Sequence, residues 1–284
     1  MEAIGHWVHD LDPFLIVFWT KENGSDVGIR WYGLSYLAGF VAAYFLLRRY
    51  YAKERSPYEG EQILNLMTFL ILGVLIGGRL GYVLLYDFDD WLKNPWKVFE
   101  VWKGGMASHG GFIGVFLALV WYARTTHQSV LAVGDIVVTV TPPGLFFGRI
   151  ANFINGELWG RPTEVSWGVL FPEAPGFIAG IARHPSQLYA AVLEGLIPFI
   201  YLQWRFWKSD HEKRPAGSLG GEFLCLYGIM RILDEFFREP DASLIAGITR
   251  GQFYSCFLIA GGIGLIAWVH RKNSPQAIDK ADSE

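Results

Sequence analysis

Four stretches of this chain, residues 32–47, 63–78, 104–123 and 251–269, contain no Asp, Glu, Lys or Arg. A surface helix of that length in a water-soluble protein needs a polar face, whereas about 20 apolar residues at 1.5 Å rise span a bilayer core. Three further runs are apolar but interrupted, 128–148 by Asp135, 185–204 by Glu194, and 215–233 by Glu222 and Arg231. The pattern predicts an all-α integral membrane protein with seven transmembrane helices forming a single membrane domain over residues 1–284. Arg79 and the interrupting groups are then expected to face a bundle interior or a wet cavity rather than lipid.

Composition supports the same class. Charged residues make up 18% of the chain and apolar ones 52%, with a mean hydropathy of +0.25, against roughly a quarter charged in an ordinary soluble domain. That excludes a disordered chain. A net charge of −3 offers no basic footprint for nucleic acid. The two cysteines, Cys225 and Cys256, form no metal-binding spacing and lie in apolar runs, as expected of small packing residues. The apolar run 14–19 is too short to span and no basic residue precedes it, which argues against a signal peptide. It reads as an interfacial N-terminal segment, with Trp19 and Trp31 at headgroup level.

Basic residues flanking the seven spans number twelve on one side and ten on the other. The totals do not orient the chain, but clustering does: RRYYAKER and RFWKSDHEKR abut helix ends, while the opposite set is scattered. The positive-inside rule then puts the N-terminus outside and the C-terminus in the cytoplasm. The longest polar stretch, residues 149–184, becomes a small outer-face insertion between the fourth and fifth spans. It contains a strand-like WGVLF at 167–171, and the tail after Arg271 reads as a solvated end.

Four polar groups carry the candidate chemistry. GRIANFINGELWGR at 148–161 gathers Arg149, Asn152, Glu157, Gly160 and Arg161 at a membrane exit. Arginine forks and asparagine amides suit an anionic headgroup, although a salt bridge of Glu157 with Arg149 or Arg161 bracing a loop accounts for the composition equally well. In the sixth span Tyr227, Arg231 and Glu235 follow one another at four-residue spacing, one helix face, with Asp234 and Arg238 on or beside that stripe. A mid-span arginine costs about 2.5–3.5 kcal/mol on insertion scales, so Arg231 requires an anion, either a protein carboxylate or a ligand phosphate. His109 precedes two glycines at a span entrance. It is either a hydrogen-bonded structural group or the chain's best general base, having an ordinary pKa near 6.5. RHPSQLY at 183–189 opens the fifth span with His184, Ser186 and Gln187; it reads as a helix start, and no GxSxG elbow surrounds Ser186.

GRIANFINGELWGR, with HGG upstream, RHPSQLY downstream, RWYGLSYLAGF in the first span and EFFREPD before the last, resembles the bacterial prolipoprotein diacylglyceryl transferase family, in order from about residue 28 to 270. Two positions depart from the expected family pattern, Ala151 for glycine and Ala190 for glutamate. The resemblance implies transfer of a diacylglyceryl group from phosphatidylglycerol to the lipobox cysteine thiol in a prolipoprotein signal peptide. Glycerol phosphate is released, in the bacterial cytoplasmic (inner) membrane. It implies His109, Arg149 and Arg231 as catalytic residues, and Tyr32, Asn152, Glu157, Gly160, Tyr227, Glu235 and Arg238 as substrate-binding ones. His109 would act as base, the two arginines would stabilise the departing phosphate, and no cofactor or metal is expected. The competing class is a secondary transporter of an anionic lipid or solute, with Arg79, Asp135, Glu194 and Arg231 lining a pathway; the lack of a hydropathy repeat between halves speaks against it.

Overall fold

A computed structural model describes residues 5–22, 24, 26–100, 105–210, 213–240 and 242–272. Residue 104, at the start of the third apolar run, and the tail beyond Lys272 lie outside the described residues. The helices are α1 (Trp31–Ala52), α2 (Gly60–Tyr86), α3 (Phe88–Lys93), α4 (Ser108–Thr125), α5 (Val130–Val140), α6 (Pro142–Ile154), α7 (Ser186–Ala190), α8 (Ile197–Lys208), α9 (Ser218–Glu235) and α10 (Arg250–Lys272). Each of the seven apolar runs falls on helix. Among the described residues α2 and α10 are by themselves long and apolar enough to cross a bilayer, and α5 with α6 makes a third candidate.

That third candidate is not straight. The run 128–148 breaks at Thr141, where the two helices meet at 42°. Pro142 and Pro143 supply no N–H to the preceding turn, so a continuous α-ladder is unavailable there. Beyond the break α6 continues to Ile154, so Arg149 and Asn152 stand on its last turns, not in the polar connection expected to begin the outer insertion.

The chain is mostly, not wholly, helical, which corrects the all-α expectation. Phe14–Thr20 (β2) pairs antiparallel with Asp26–Arg30 (β3), as β-branched and aromatic residues around a polar turn favour. Gly28 is needed: a Cβ there would lie 2.0 Å from the carbonyl oxygen of Ile16, beside two register shifts in the pairing. Leu15, Ile16, Val17, Phe18 and Trp19 are all exposed, so the segment read as interfacial is an apolar hairpin. Nearer the N-terminus, Trp7–Val8 (β1) pairs in parallel with Val169–Leu170 (β4), the centre of the strand-like WGVLF.

Two compact units divide the chain, one comprising residues 1–43 and 137–284, the other residues 44–136. Within the second, α2 and α4 pack along glycines. Cβ atoms at Gly73, Gly77 and Gly81 would stand 2.7, 2.3 and 2.6 Å from backbone atoms of Gly114 or Gly110. Small residues at four-residue spacing permit this approach, the usual means of joining helices where lipid removes the hydrophobic driving force. Arg79, buried on α2, donates from Nε to the Val98 carbonyl at 2.9 Å and from Nη1 to that of Gly105 at 3.2 Å, with a further bond to Lys97. It thereby staples the segment that follows α3.

In the first unit α9 packs on α10. Gly221 and Gly228 face Gly262, Ile266, Ser255 and Ile259, and the Cys225 sulfur fills the space a side chain at Gly262 would occupy, consistent with the packing role expected of that cysteine. Among the other helices, α6 meets the turn after α7 through Gly195, where a Cβ would lie 2.7 Å from the Phe146 Cα.

Candidate functional site: a buried arginine–carboxylate cluster

Between α7 and α8 the residues Ala191–Leu196 form one π-helical turn. Pro198 has no N–H for the carbonyl of Glu194, four residues earlier, and its ring would crowd that carbonyl. The wider turn contains Glu194, which is fully buried. Such turns inside α-helices recur at functional sites.

Glu194 is the centre of the site. Arg149, on α6, donates to Glu194 Oε2 from Nε at 3.1 Å and from Nη2 at 2.7 Å. Arg231, on α9, donates from Nη1 to Glu194 Oε1 at 3.0 Å and to Asp234 Oδ2 at 2.9 Å, and from Nη2 to Glu235. The Tyr227 hydroxyl stands 3.5 Å from Glu194 Oε2. Burying an ion pair is costly unless the charges are closely paired and hydrogen-bonded, and here two guanidinium groups share one carboxylate. The anion required by Arg231 is therefore supplied by protein carboxylates, and the four-residue stripe expected on α9 lies against the cluster. Arg149 and Arg231 side chains keep 20% and 16% exposure while that of Glu194 keeps none. Within this cluster the two guanidinium groups are therefore the most exposed charges, ahead of Glu235 at 5% and Asp234 at 1%.

The signature segment surrounds α6's end. Asn152 donates to Glu157 Oε1 at 2.7 Å and Asn155 to the same atom at 3.4 Å, so the Glu157 carboxylate is held by amides, not by the arginines considered from composition. Gln187 donates to the Glu157 carbonyl, and Ser186 to the Leu158 carbonyl at 3.0 Å. These bonds fix a turn in which Gly156 (φ 65°) and Leu158 (φ 57°) both adopt left-handed backbone. For leucine that conformation is unusual, and the surrounding bonds must hold it. His9, next to β1, donates from Nε2 to the Phe153 carbonyl at 2.7 Å and lies against Gly156. No sequence motif marks His9.

Gly160 sits where three segments cross. Its N–H donates to the His184 carbonyl at 2.9 Å, Arg161 donates to the Phe237 carbonyl at 2.8 Å, and Gly160 is bridged to buried Arg238. Buried Arg183 ties the same junction, donating to the Gly160 carbonyl, Glu239 and the Pro175 carbonyl at 2.9–3.0 Å. Beside it, Trp167 donates to the Tyr189 oxygen at 2.6 Å, and that hydroxyl stands 3.2 Å from His184 Nδ1. Burial holds the His184 imidazole below its ordinary range, because desolvation disfavours the charged ring.

Of the ten residues singled out, Arg149, Tyr227 and Arg231 meet at Glu194, and Glu235 joins them through Arg231. Asn152 and Glu157 pair with each other, and Gly160 and Arg238 share the junction. Tyr32 is the second residue of α1, its ring edge-on to Tyr36 at 5.4 Å. His109 belongs to the other unit, where it is exposed in the first turn of α4 just before Gly110, which abuts α2. Glu194 itself is visible in the sequence only as a carboxylate interrupting an apolar run. Among the described residues no group of three or more His, Cys, Asp or Glu could hold a metal ion.

Residues 23–268 match the family description of prolipoprotein diacylglyceryl transferase. A phosphatidylglycerol–prolipoprotein diacylglyceryl transferase of Pseudoalteromonas atlantica is 45% identical over 256 residues, 88% of either chain. The protein of that name from Oleidesulfovibrio alaskensis is 45% identical over 262 residues, covering 91% of this chain and 95% of its own. The one from Aliivibrio fischeri is 42% identical over 276 residues, covering 96% and 95%. The transport alternative finds no support among them.

Proposed function

The chain belongs to the prolipoprotein diacylglyceryl transferase family, and from that premise we propose that it transfers the diacylglyceryl group of phosphatidylglycerol to the lipobox cysteine of a prolipoprotein. The observation that carries the reading to particular atoms is the pair of guanidinium groups on one buried carboxylate. The acceptor sulfur attacks the glyceryl carbon that bears the phosphate. A carbon–sulfur bond forms, the carbon–oxygen bond breaks, its electrons leave with the phosphate oxygen as glycerol phosphate, and the thiol proton passes to a base. At a pKa of about 8.5 the thiol is mostly protonated near neutrality, and His109 is the base in this reading. Arg149 and Arg231 stabilise the charge developing on the departing phosphate. Tyr32, Asn152, Glu157, Gly160, Tyr227, Glu235 and Arg238 shape and bind the headgroup. Cys225 and Cys256 take no part, since the nucleophile comes with the acceptor.

The enzyme works in the bacterial cytoplasmic membrane, its seven helical runs spanning it, the N-terminus and the polar segment from the end of α6 to residue 184 outside and the C-terminus in the cytoplasm. Basic clustering supports this orientation, and the exposed apolar hairpin suits the membrane interface. Single cysteines at Glu164 and Lys213, treated on intact spheroplasts with a membrane-impermeant maleimide, should label only at position 164; the reverse pattern overturns the topology. For the activity, purified protein given phosphatidylglycerol and a lipobox peptide should yield a thioether-linked diacylglyceryl peptide. Protein-dependent flux of lipid or solute through liposomes without peptide lipidation would sink the transferase reading.

A further inference from the structure

We infer that Glu194 is a positioning residue of the transfer reaction, holding Arg149 and Arg231 as a fixed pair toward the departing phosphate; the inference rests on the transferase reading above. Three observations carry it. Glu194 has no exposure, yet both its oxygens are engaged by guanidinium groups from two different helices, Oε2 by Arg149 and Oε1 by Arg231. Two like charges brought together in an apolar surrounding repel strongly, and the shared carboxylate holds them side by side. The backbone is also shaped for the purpose: Pro198 disfavours regular α-geometry at this turn, the π-turn takes its place, and glycine at 195 lets Phe146, one turn before Arg149, come against it. Finally, Arg149 engages Glu194 through Nε and Nη2, so its Nη1 takes no part in that pair. A planar fork anchored along one edge presents the other edge in a set direction.

A preorganised donor lowers the barrier because it needs no reorganisation when charge appears, so disturbing the anchor should lower kcat while leaving lipid KM nearly unchanged. Glu194→Asp keeps the charge and withdraws it by one methylene; kcat is expected to fall at least about tenfold with little change in KM or Tm. Glu194→Gln places an amide NH2 toward one guanidinium, and a fall of about 100-fold is expected, the scale of losing one such donor. The decisive measurement is the cycle with Arg149→Lys. If Glu194 acts through the two arginines, Glu194→Asp costs clearly less kcat in the Arg149→Lys background than in the wild type, the remainder passing through Arg231, whereas independent roles multiply. Wild-type kcat in Glu194→Asp, multiplicative losses, or failure of Glu194→Asp to accumulate folded would each overturn the inference, the last by making Glu194 a folding element. An inactive wild type with phosphatidylglycerol and a lipobox peptide would overturn the transferase reading itself, and the inference with it.

Discussion

Arg149→Lys is expected to lower peptide lipidation at least about 100-fold, the scale of losing one preorganised charge-stabilising donor, while its positive charge is retained. A lysine ammonium is a point charge on a flexible stem. It cannot reproduce the Nε and Nη2 bonds that both end on Glu194 Oε2 and still direct a second edge at a phosphate. A membrane exit suggests that water would solvate whatever partner the arginine leaves behind, but Glu194 has no exposed surface. Some loss of stability is therefore expected as well, on top of the loss of rate. Arg231→Lys should lose as much turnover and more stability, because that one guanidinium pairs with Asp234 and Glu235 as well as with one oxygen of Glu194 and breaking a buried pair costs about 3–5 kcal/mol. The measurements are lipidation rate per folded protein and unfolding midpoint in detergent. A stable variant of either kind with near-wild-type turnover would remove that arginine from the phosphate-binding role.

The cluster is legible in the sequence only from one side. Four-residue spacing on a helix fixes which side chains share a face, and spacing alone groups Tyr227, Arg231 and Glu235. It says nothing about what lies opposite. Arg231 needs an anion, and Asp135, Glu157, Glu194 and Glu222 all offer one; the choice of Glu194 depends on a contact across 37 residues and on a π-turn whose sequence trace is one proline. The same holds at 148–161, where the neighbouring arginines suggest a salt bridge for Glu157. The amides of Asn152 and Asn155 take its side chain because α6 runs on through Asn152 and a left-handed turn brings Glu157 back to it. Apolar runs locate the helices well, since burial in lipid leaves so strong a compositional mark. They do not register the bend at Thr141, although Pro142–Pro143 carries it, nor the hairpin at 14–30, whose apolar first strand reads only as an interfacial segment. The glycines at 73, 77 and 81 are a readable seam that hydropathy alone passes over.

Gly160→Ala tests how much of the signature is substrate recognition and how much is architecture. A Cβ at this position would stand 2.6 Å from the His184 carbonyl oxygen, 2.6 Å from the Phe237 carbonyl oxygen and 2.7 Å from the His184 Cβ. Two of those atoms are backbone, on segments that also bond to residues 160 and 161, so no side-chain rotation relieves the crowding. Overpacking of this kind costs about 1–3 kcal/mol or more. The strain would reach Arg183, which holds the same junction to the Pro175 carbonyl and Glu239, and through residues 184–187 it would reach the turn that Gln187 and Ser186 hold at Glu157 and Leu158. Activity should be lost together with a lowered unfolding midpoint. Gly261→Ala, on α10 where a Cβ meets nothing within 4 Å, is the matched control; its midpoint should stay at or above wild type, because alanine is the better helix former. A Gly160→Ala protein that keeps the wild-type midpoint yet fails to lipidate peptide would rule out the architectural role and leave close approach of the lipid headgroup as the reason for glycine.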